Sequence, residues 1–205
     1  MKYKVAVYCS GSASRIIKFY EEFSSKKFEL DLIFYEGEQI EIIQILEKIC
    51  KKVVVFSNQK QVLETNLSDE LYSYLEFYKI DFVFCFGSSI LKGEILKRYK
   101  YKIINFHPSL LPSFPGLNAI DQALKTSVKF LGNTAHFIDE GIDTGPIIMQ
   151  TIMRRDCFEN YDDVLDLQID MIYDIWILIN QQLLYVEEDR VFILRKSQNS
   201  YFKSI

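Results

Sequence analysis

A basic excess, clustered cysteines and long apolar runs are all missing from this chain, and each absence excludes a class of function. The 205 residues carry 24 Lys and Arg against 28 Asp and Glu, a formal charge of −4. The basic residues are scattered rather than gathered into a stripe, so no field attracts a polyanion and no nucleic acid is expected as a partner. Cys9, Cys50, Cys85 and Cys157 form no C-x-x-C pair. Neither a zinc site nor a disulfide framework is expected; reduced, buried thiols in a cytoplasmic protein are. No ~18-residue apolar stretch is present. The most hydrophobic segment, IDMIYDIWILINQQLL, is interrupted by Asp170, Asp174 and Asn180, which suits a packed helix rather than a membrane span. The opening MKYKVAVYCSGSAS has too short an apolar run for an export signal. Proline and histidine are scarce too, at four and two residues, yet all six fall between Asn105 and Pro146.

Hydrophobic residues make up 49% of the chain, and its length suits one domain of the usual ~100–250 residues, here taken as residues 1–205. Lys4–Cys9, Glu29–Tyr35, Lys52–Phe56, Asp81–Phe86 and Lys102–Asn105 are continuous apolar runs, as expected of strands buried on both faces. Between them Arg15–Phe23, Ile40–Ile49, Ser68–Tyr78 and Leu91–Tyr99 show helical spacing. Alternation of this kind predicts an α/β fold, an open, mostly parallel twisted sheet with helices on both faces. After residue 100 the pattern predicts a helix over Asn118–Ser127 and strands over Phe130–Ile138 and Pro146–Met153. A long C-terminal helix is expected from Asn160 to Glu187, because Leu165, Ile169, Ile172, Trp176, Ile179 and Leu183 recur three or four apart in a narrow seam. Its Asp162, Asp166, Asp170 and Asp174 read as a solvated acidic face rather than a metal site. The tail Arg190–Ile205 is expected to add a strand or to pair with another subunit.

Ligands of open α/β sheets bind outside the carboxyl ends of the strands. The first strand is followed there by Ser10-Gly11-Ser12-Ala13-Ser14, whose backbone N–H groups suit an anion or form merely a tight turn. Ile90 and Leu91 follow the fourth strand and suit either a flat pocket or the buried side of a helix. Asn105 and His107 at the end of the fifth face the same way in extended backbone, which Pro108 favours at His107. Pro112, Pro115 and Gly116 then restrict the loop. An amide N–H and an imidazolium side by side can stabilise an oxyanion, or each can be satisfied by neighbouring backbone. Asp143, in the loop Asp139-Glu140-Gly141-Ile142-Asp143-Thr144-Gly145, suits an acid–base role or a turn cap. His136, alone in an apolar strand, reads more readily as a satisfied core residue.

The segments INFHPSLLPSFPG and GNTAHFIDEGIDTGPIIMQ together resemble the formyltransferase family, which includes glycinamide ribonucleotide transformylase and the catalytic domain of methionyl-tRNA formyltransferase. The resemblance is strongest over Ile104–Gln150. It implies an enzyme that moves a formyl group from 10-formyltetrahydrofolate to a primary amine; from the residues themselves the protein is expected to be cytoplasmic and metal-free, and either a monomer or a homodimer. By the resemblance, Asn105 and His107 stabilise the tetrahedral oxyanion while Asp143 keeps the imidazole charged and assists proton transfer. Ile90, Leu91 and the loop Asp139, Glu140, Gly141 and Ile142 correspond to the folate pocket. Ser10, Gly11, Ser12, Ala13 and Arg15 correspond to the site of the acceptor's anion. The chain departs from the family at Ala13 and Arg15, where Gly and Asn are usual; at Tyr35-Glu36-Gly37, where the family has Ser-Asn; and at Ser88-Ser89, where a Met-Arg pair is usual. The acceptor therefore stays open between glycinamide ribonucleotide and an amino sugar, often nucleotide-linked. A formyltetrahydrofolate hydrolase or a non-catalytic folate-binding relative are the alternatives. The additional C-terminal domain of the tRNA enzyme is not expected.

Overall fold

The computed structural model describes residues 2–26, 28–57 and 66–194. Five parallel strands are laid down with helical crossovers, as the apolar runs require: β1 (Val5–Ser10), β2 (Leu32–Glu36), β3 (Val53–Phe56), β4 (Phe82–Phe86) and β5 (Ile103–His107). Two antiparallel strands, β6 (Phe130–Phe137) and β7 (Ile147–Arg154), complete one seven-stranded sheet in the order β3-β2-β1-β4-β5-β6-β7. Helices cover both faces. Val5, Val7 and Cys9 point into a core shared with α1 (Ser14–Phe23), α2 (Ile40–Ile49) and α6 (Tyr161–Asn180). Ala6 and Tyr8 point into a second core with α3 (Leu67–Tyr78) and α4 (Glu94–Arg98). A short α5 (Ala119–Leu124) packs with Leu131 and Val164.

Three helices are shorter than their spacing predicts. The segment expected as helix Leu91–Tyr99 forms only Glu94–Arg98, because Gly93 precedes it at φ 82°. Asn118–Ser127 forms Ala119–Leu124, and its carbonyl ends are taken early by Lys125 and Thr126. The helix expected to reach Glu187 stops at Asn180, so residues 160–187 are not one helix. The Leu183 N–H bonds the Leu178 carbonyl at 2.8 Å and the Gln182 N–H bonds that of Ile179 at 2.9 Å, with Gln182 at φ 55°. This is a Schellman ending with glutamine in the left-handed position usually held by glycine, which is why no Gly signalled it. Beyond it β8 (Leu184–Glu187) and β9 (Arg190–Ile193) form a hairpin. The rest of the tail, 195–205, lies outside the described residues.

Nor is the seam of α6 narrow. Val164, Gln168, Met171, Ile175 and Leu178 are buried together with Ile169, Ile172 and Ile179, so the helix lies deep against the sheet. Its acidic face is only partly solvated: Lys18 pairs with Asp162 at 3.3 Å and Asp166 at 2.8 Å, while burial and then Asp170 push the Asp174 carboxyl up. Among the described residues no cluster of metal-ligating side chains forms, and no helix is long and apolar enough to cross a membrane.

Candidate active site

At β5 the strand alternation turns Ile104 and Phe106 into one core and sends Asn105 and His107 to the opposite face. The antiparallel pairing with β6 sets Asn105 opposite His136 and His107 opposite Thr134. A register shift between β6 and β7 falls beside His136, the kind of irregularity that re-aims a side chain. Asp143 closes the group from the β6–β7 loop. Its Oδ2 lies 3.3 Å from His107 Nδ1 and accepts from the Gly116 N–H at 2.7 Å. Its Oδ1 lies 3.5 Å from both His136 Nε2 and Asn105 Nδ2. One carboxylate thus gathers two imidazoles and an amide, and its own side chain is only 12% exposed.

The hydrogen-bond geometry assigns distinct chemistry to the two imidazoles. His107 Nε2 is 2.9 Å from the Phe114 carbonyl oxygen while Nδ1 faces the carboxylate, so both acceptors are satisfied only when both ring nitrogens carry protons. His136 Nδ1 lies 2.9 Å from the Phe137 carbonyl and therefore donates, leaving Nε2 between the Asn105 amide at 3.2 Å and Asp143. The Asn105 amide thus has two neighbouring acceptors, His136 Nε2 and Asp143 Oδ1. The Asp143 carboxyl is held below its ordinary value, first by the hydrogen bond from His136, against burial, then by the Gly116 N–H and the His107 charge.

Both loops around the cluster are fixed by more than proline. Thr134 Oγ1 donates to the Ser109 carbonyl at 2.7 Å and accepts from the Leu111 N–H at 3.0 Å and Gln150 Nε2 at 2.9 Å. The Gln150 amide also reaches the Leu111 carbonyl at 3.0 Å, and the Leu111–Pro112 peptide is cis. In the other loop Asp139 Oδ1 accepts from the Gly141 N–H at 3.0 Å and Thr144 Oγ1 at 2.8 Å. A Cβ on Gly145 would stand 1.9 Å from the Phe137 carbonyl oxygen, so only glycine lets this loop close on β6. Asp139 thus shapes the loop, and Glu140 and Ile142 face solvent. Ile90 is 73% and Ile142 60% exposed, large apolar surfaces left open, whereas Leu91 is buried in the core with α3 and α4.

The Ser10–Arg15 turn sits at the same edge. Gly11 and Ala13 have φ of 60° and 50°, the Tyr35 hydroxyl donates to the Gly11 carbonyl at 2.8 Å, and the first N–H groups of α1 lack intrahelical partners. Arg15 lies beside it over the Phe86 ring at 5.4 Å, with Nη2 3.5 Å from the Phe86 carbonyl. It has no carboxylate within ion-pair distance among the described residues, and burial lowers its pKa. A hollow of about 30 Å³ opens between Ser10, Ser12, Arg15 and Phe86.

Of the residues singled out by sequence, the structure gathers Asn105, His107 and Asp143 and keeps the Ser10–Arg15 turn separate, two strands away. His136 joins the first group although its apolar surroundings suggested a core residue. Its signal was positional: a strand running back along β5 puts Thr134, His136 and Ile138 on the face that carries Asn105 and His107.

An amide, two imidazoles and a carboxylate gathered at one end of a mostly parallel α/β sheet can support acid–base chemistry and stabilise an oxyanion. Residues 3–165 match the family model described as Formyl transferase. The phosphoribosylglycinamide formyltransferase of Bacillus subtilis is 31% identical over 156 residues, 75% of this chain and 80% of that protein. The crystal structure of glycinamide ribonucleotide transformylase 1 from Symbiobacterium toebii superposes with a TM-score of 0.79 at 26% identity, covering 95% of each chain. The mitochondrial formyltetrahydrofolate deformylase 2 of Arabidopsis thaliana is 29% identical over 75% of this chain, which spans 47% of that protein. The chain belongs to the formyltransferase family.

Proposed function

We propose that this folate-dependent formyltransferase moves the formyl group of 10-formyltetrahydrofolate to the primary amine of a phosphorylated acceptor, with Asn105, His107 and Asp143 as its catalytic residues. The observation that carries the reading is the convergence of Asn105, His107 and His136 on one ionised carboxylate at the carboxyl ends of the strands. An uncharged amine attacks the formyl carbon and the carbonyl oxygen becomes an oxyanion. Asn105 donates an amide N–H to that oxygen, with His136 and Asp143 beside it fixing the direction of the amide. With both ring nitrogens engaged, His107 acts by its charge at close range rather than by a direct bond. Asp143 accepts the proton leaving the amine and passes it, by way of water, toward the departing folate nitrogen. The exposed Ile90 and Ile142 suit the flat faces of a pterin, and the backbone of Asp139–Ile142 suits its polar edge.

Arg15, with no carboxylate of its own, and the N–H groups opening α1 suit the acceptor's phosphate. Glycinamide ribonucleotide is the acceptor named for the relatives above. A nucleotide-linked amino sugar is the second reading, favoured by the charge of Arg15 in the turn together with that of Glu36 at the end of the neighbouring strand β2. Hydrolysis to formate, the activity in the name of the plant relative, is separated by product. The test is to incubate the purified protein with 10-formyltetrahydrofolate and either acceptor. Formylated amine supports transfer and identifies the acceptor, whereas formate alone would overturn it.

A further inference from the structure

The end of β2 carries a carboxylate that the proposed chemistry does not use. Glu36 stands in register with Ser10 of β1. Its Oε2 accepts from the Tyr8 hydroxyl at 2.6 Å and its Oε1 from Ser89 Oγ at 2.5 Å. Tyr8 is fully buried, and burial holds its hydroxyl far above the usual phenol range, so it is a permanent donor. Its ring is clamped as well: a Cβ on Gly87 would lie 2.1 Å from it. Two hydroxyls therefore hold the half-buried Glu36 side chain in one direction, yet it has no ion-pair partner among the described residues. Each carboxylate oxygen has an acceptor position to spare.

Glu36 shares a face with the catalytic group. Tyr8, Phe34 and Cys85 point into the core with α3 and α4, and alternation places Glu36 with Phe34, as it places Asn105 and His107 opposite Phe106. The strand order β2-β1-β4-β5 separates Glu36 from Asn105 by three strand spacings, about 14 Å. The floor between them is polar: Ser10 Oγ lies 3.2 Å from Ser88 Oγ and accepts from the Ser88 N–H at 3.0 Å.

We infer that Glu36 is a specificity-determining residue, whose carboxylate accepts hydrogen bonds from uncharged hydroxyl or N–H groups on the end of the acceptor remote from its reacting amine. The inference rests on the formyl-transfer reading and names what the acceptor must carry. An unneutralised carboxylate repels a terminal phosphate and attracts donors. A molecule reaching from Asn105 across Ser10 and Ser88 to Glu36 thus places a hydroxyl-bearing group, such as a sugar, at Glu36 and keeps its anion short of it, by the N–H groups opening α1.

The test is steady-state formyl transfer by the wild type and by Glu36→Gln, which keeps the shape and removes the charge. The acceptors are glycinamide ribonucleotide and a nucleoside-diphosphate-linked amino sugar. A hydrogen bond to a charged group predicts that KM for the sugar-linked acceptor rises about tenfold or more, while KM for glycinamide ribonucleotide, which ends in a phosphate, does not rise. The kcat at saturating acceptor and the KM for 10-formyltetrahydrofolate should stay within about twofold, the pattern of lost ground-state binding. A merely structural role would move all three together. A KM for the sugar-linked acceptor unchanged in Glu36→Gln, with wild-type transfer intact, would overturn the inference alone. No formylated amine from the wild type would overturn the formyl-transfer reading and this inference with it. Should Glu36→Gln fail to fold, Ser89→Ala, which loosens the same carboxylate, is expected to raise only the acceptor KM; no change there would count against the inference.

Discussion

Asp143 is where the account is most exposed to test. Its folded-state pKa is depressed, with the His136 hydrogen bond as the largest cause. A depressed carboxyl contributes stability that is fully present above the unfolded value of about 3.9 and is lost as pH falls through the lower folded value. Thermal melting of the wild type should therefore weaken more steeply below about pH 4 than that of Asp143→Asn, which has no proton to gain; parallel curves would contradict the assignment. The same substitution keeps the shape and removes the charge that faces both imidazoles. It should lower kcat by about 10³-fold, within the range of acid–base groups, with little change in folate affinity. Asn105 and His107 were legible because strand alternation and the bias imposed by Pro108 are local. His136 was not, because its role depends on which strand lies beside which, and a residue between Ala135 and Phe137 carries no mark of its partner across the sheet.

Among the elements, the loop after β5 owes its shape to a side chain on another strand. Thr134 is fully buried and holds the Ser109 carbonyl, the Leu111 N–H and the Gln150 amide at once. Thr134→Val takes away the partner of the Ser109 carbonyl and of the Leu111 N–H and should cost about 2–3 kcal/mol of stability. Activity should fall further than stability alone explains, as the loop that presents Phe114 to His107 loosens; urea melts and kcat measured on the same sample check both. The end of α6 offers the reverse case. A non-glycine residue in the left-handed region is strained, so Gln182→Gly should raise stability by about 0.5 kcal/mol after the entropy cost of glycine. A fall would mean that the Gln182 side chain makes a contact worth more than the strain. The three prolines of the loop marked it as rigid in the sequence. The threonine that anchors it, and the glutamine that ends α6, were hidden because neither residue type announces such a role.

For the whole molecule, the order of runs and helical segments predicted the mostly parallel sheet and its helices on both faces, and Asn105 and His107 then fell at the carboxyl end of β5. What the order could not convey was depth: α6 buries a broad face rather than a seam because it packs across β6 and β7 and reaches β5, with Gln168 Nε2 bonding the Phe106 carbonyl at 3.2 Å and Asn133 Oδ1 at 2.8 Å. That buried pair ties the helix to the strand bearing Asn105 and His107, so Gln168→Leu should lower stability by about 1–3 kcal/mol by removing the donor to Asn133 Oδ1 and to the Phe106 carbonyl. An unchanged melting temperature would contradict it. The architecture and the site meet in one claim, that the strand-end cluster transfers formyl to an amine rather than to water. Its most direct test is product stoichiometry in a single turnover of the purified protein with 10-formyltetrahydrofolate and glycinamide ribonucleotide or a nucleotide-linked amino sugar. The account predicts one formylated amine for each tetrahydrofolate released, abolished in His107→Ala; tetrahydrofolate appearing with formate and no formylated amine, or turnover that survives His107→Ala, would contradict it.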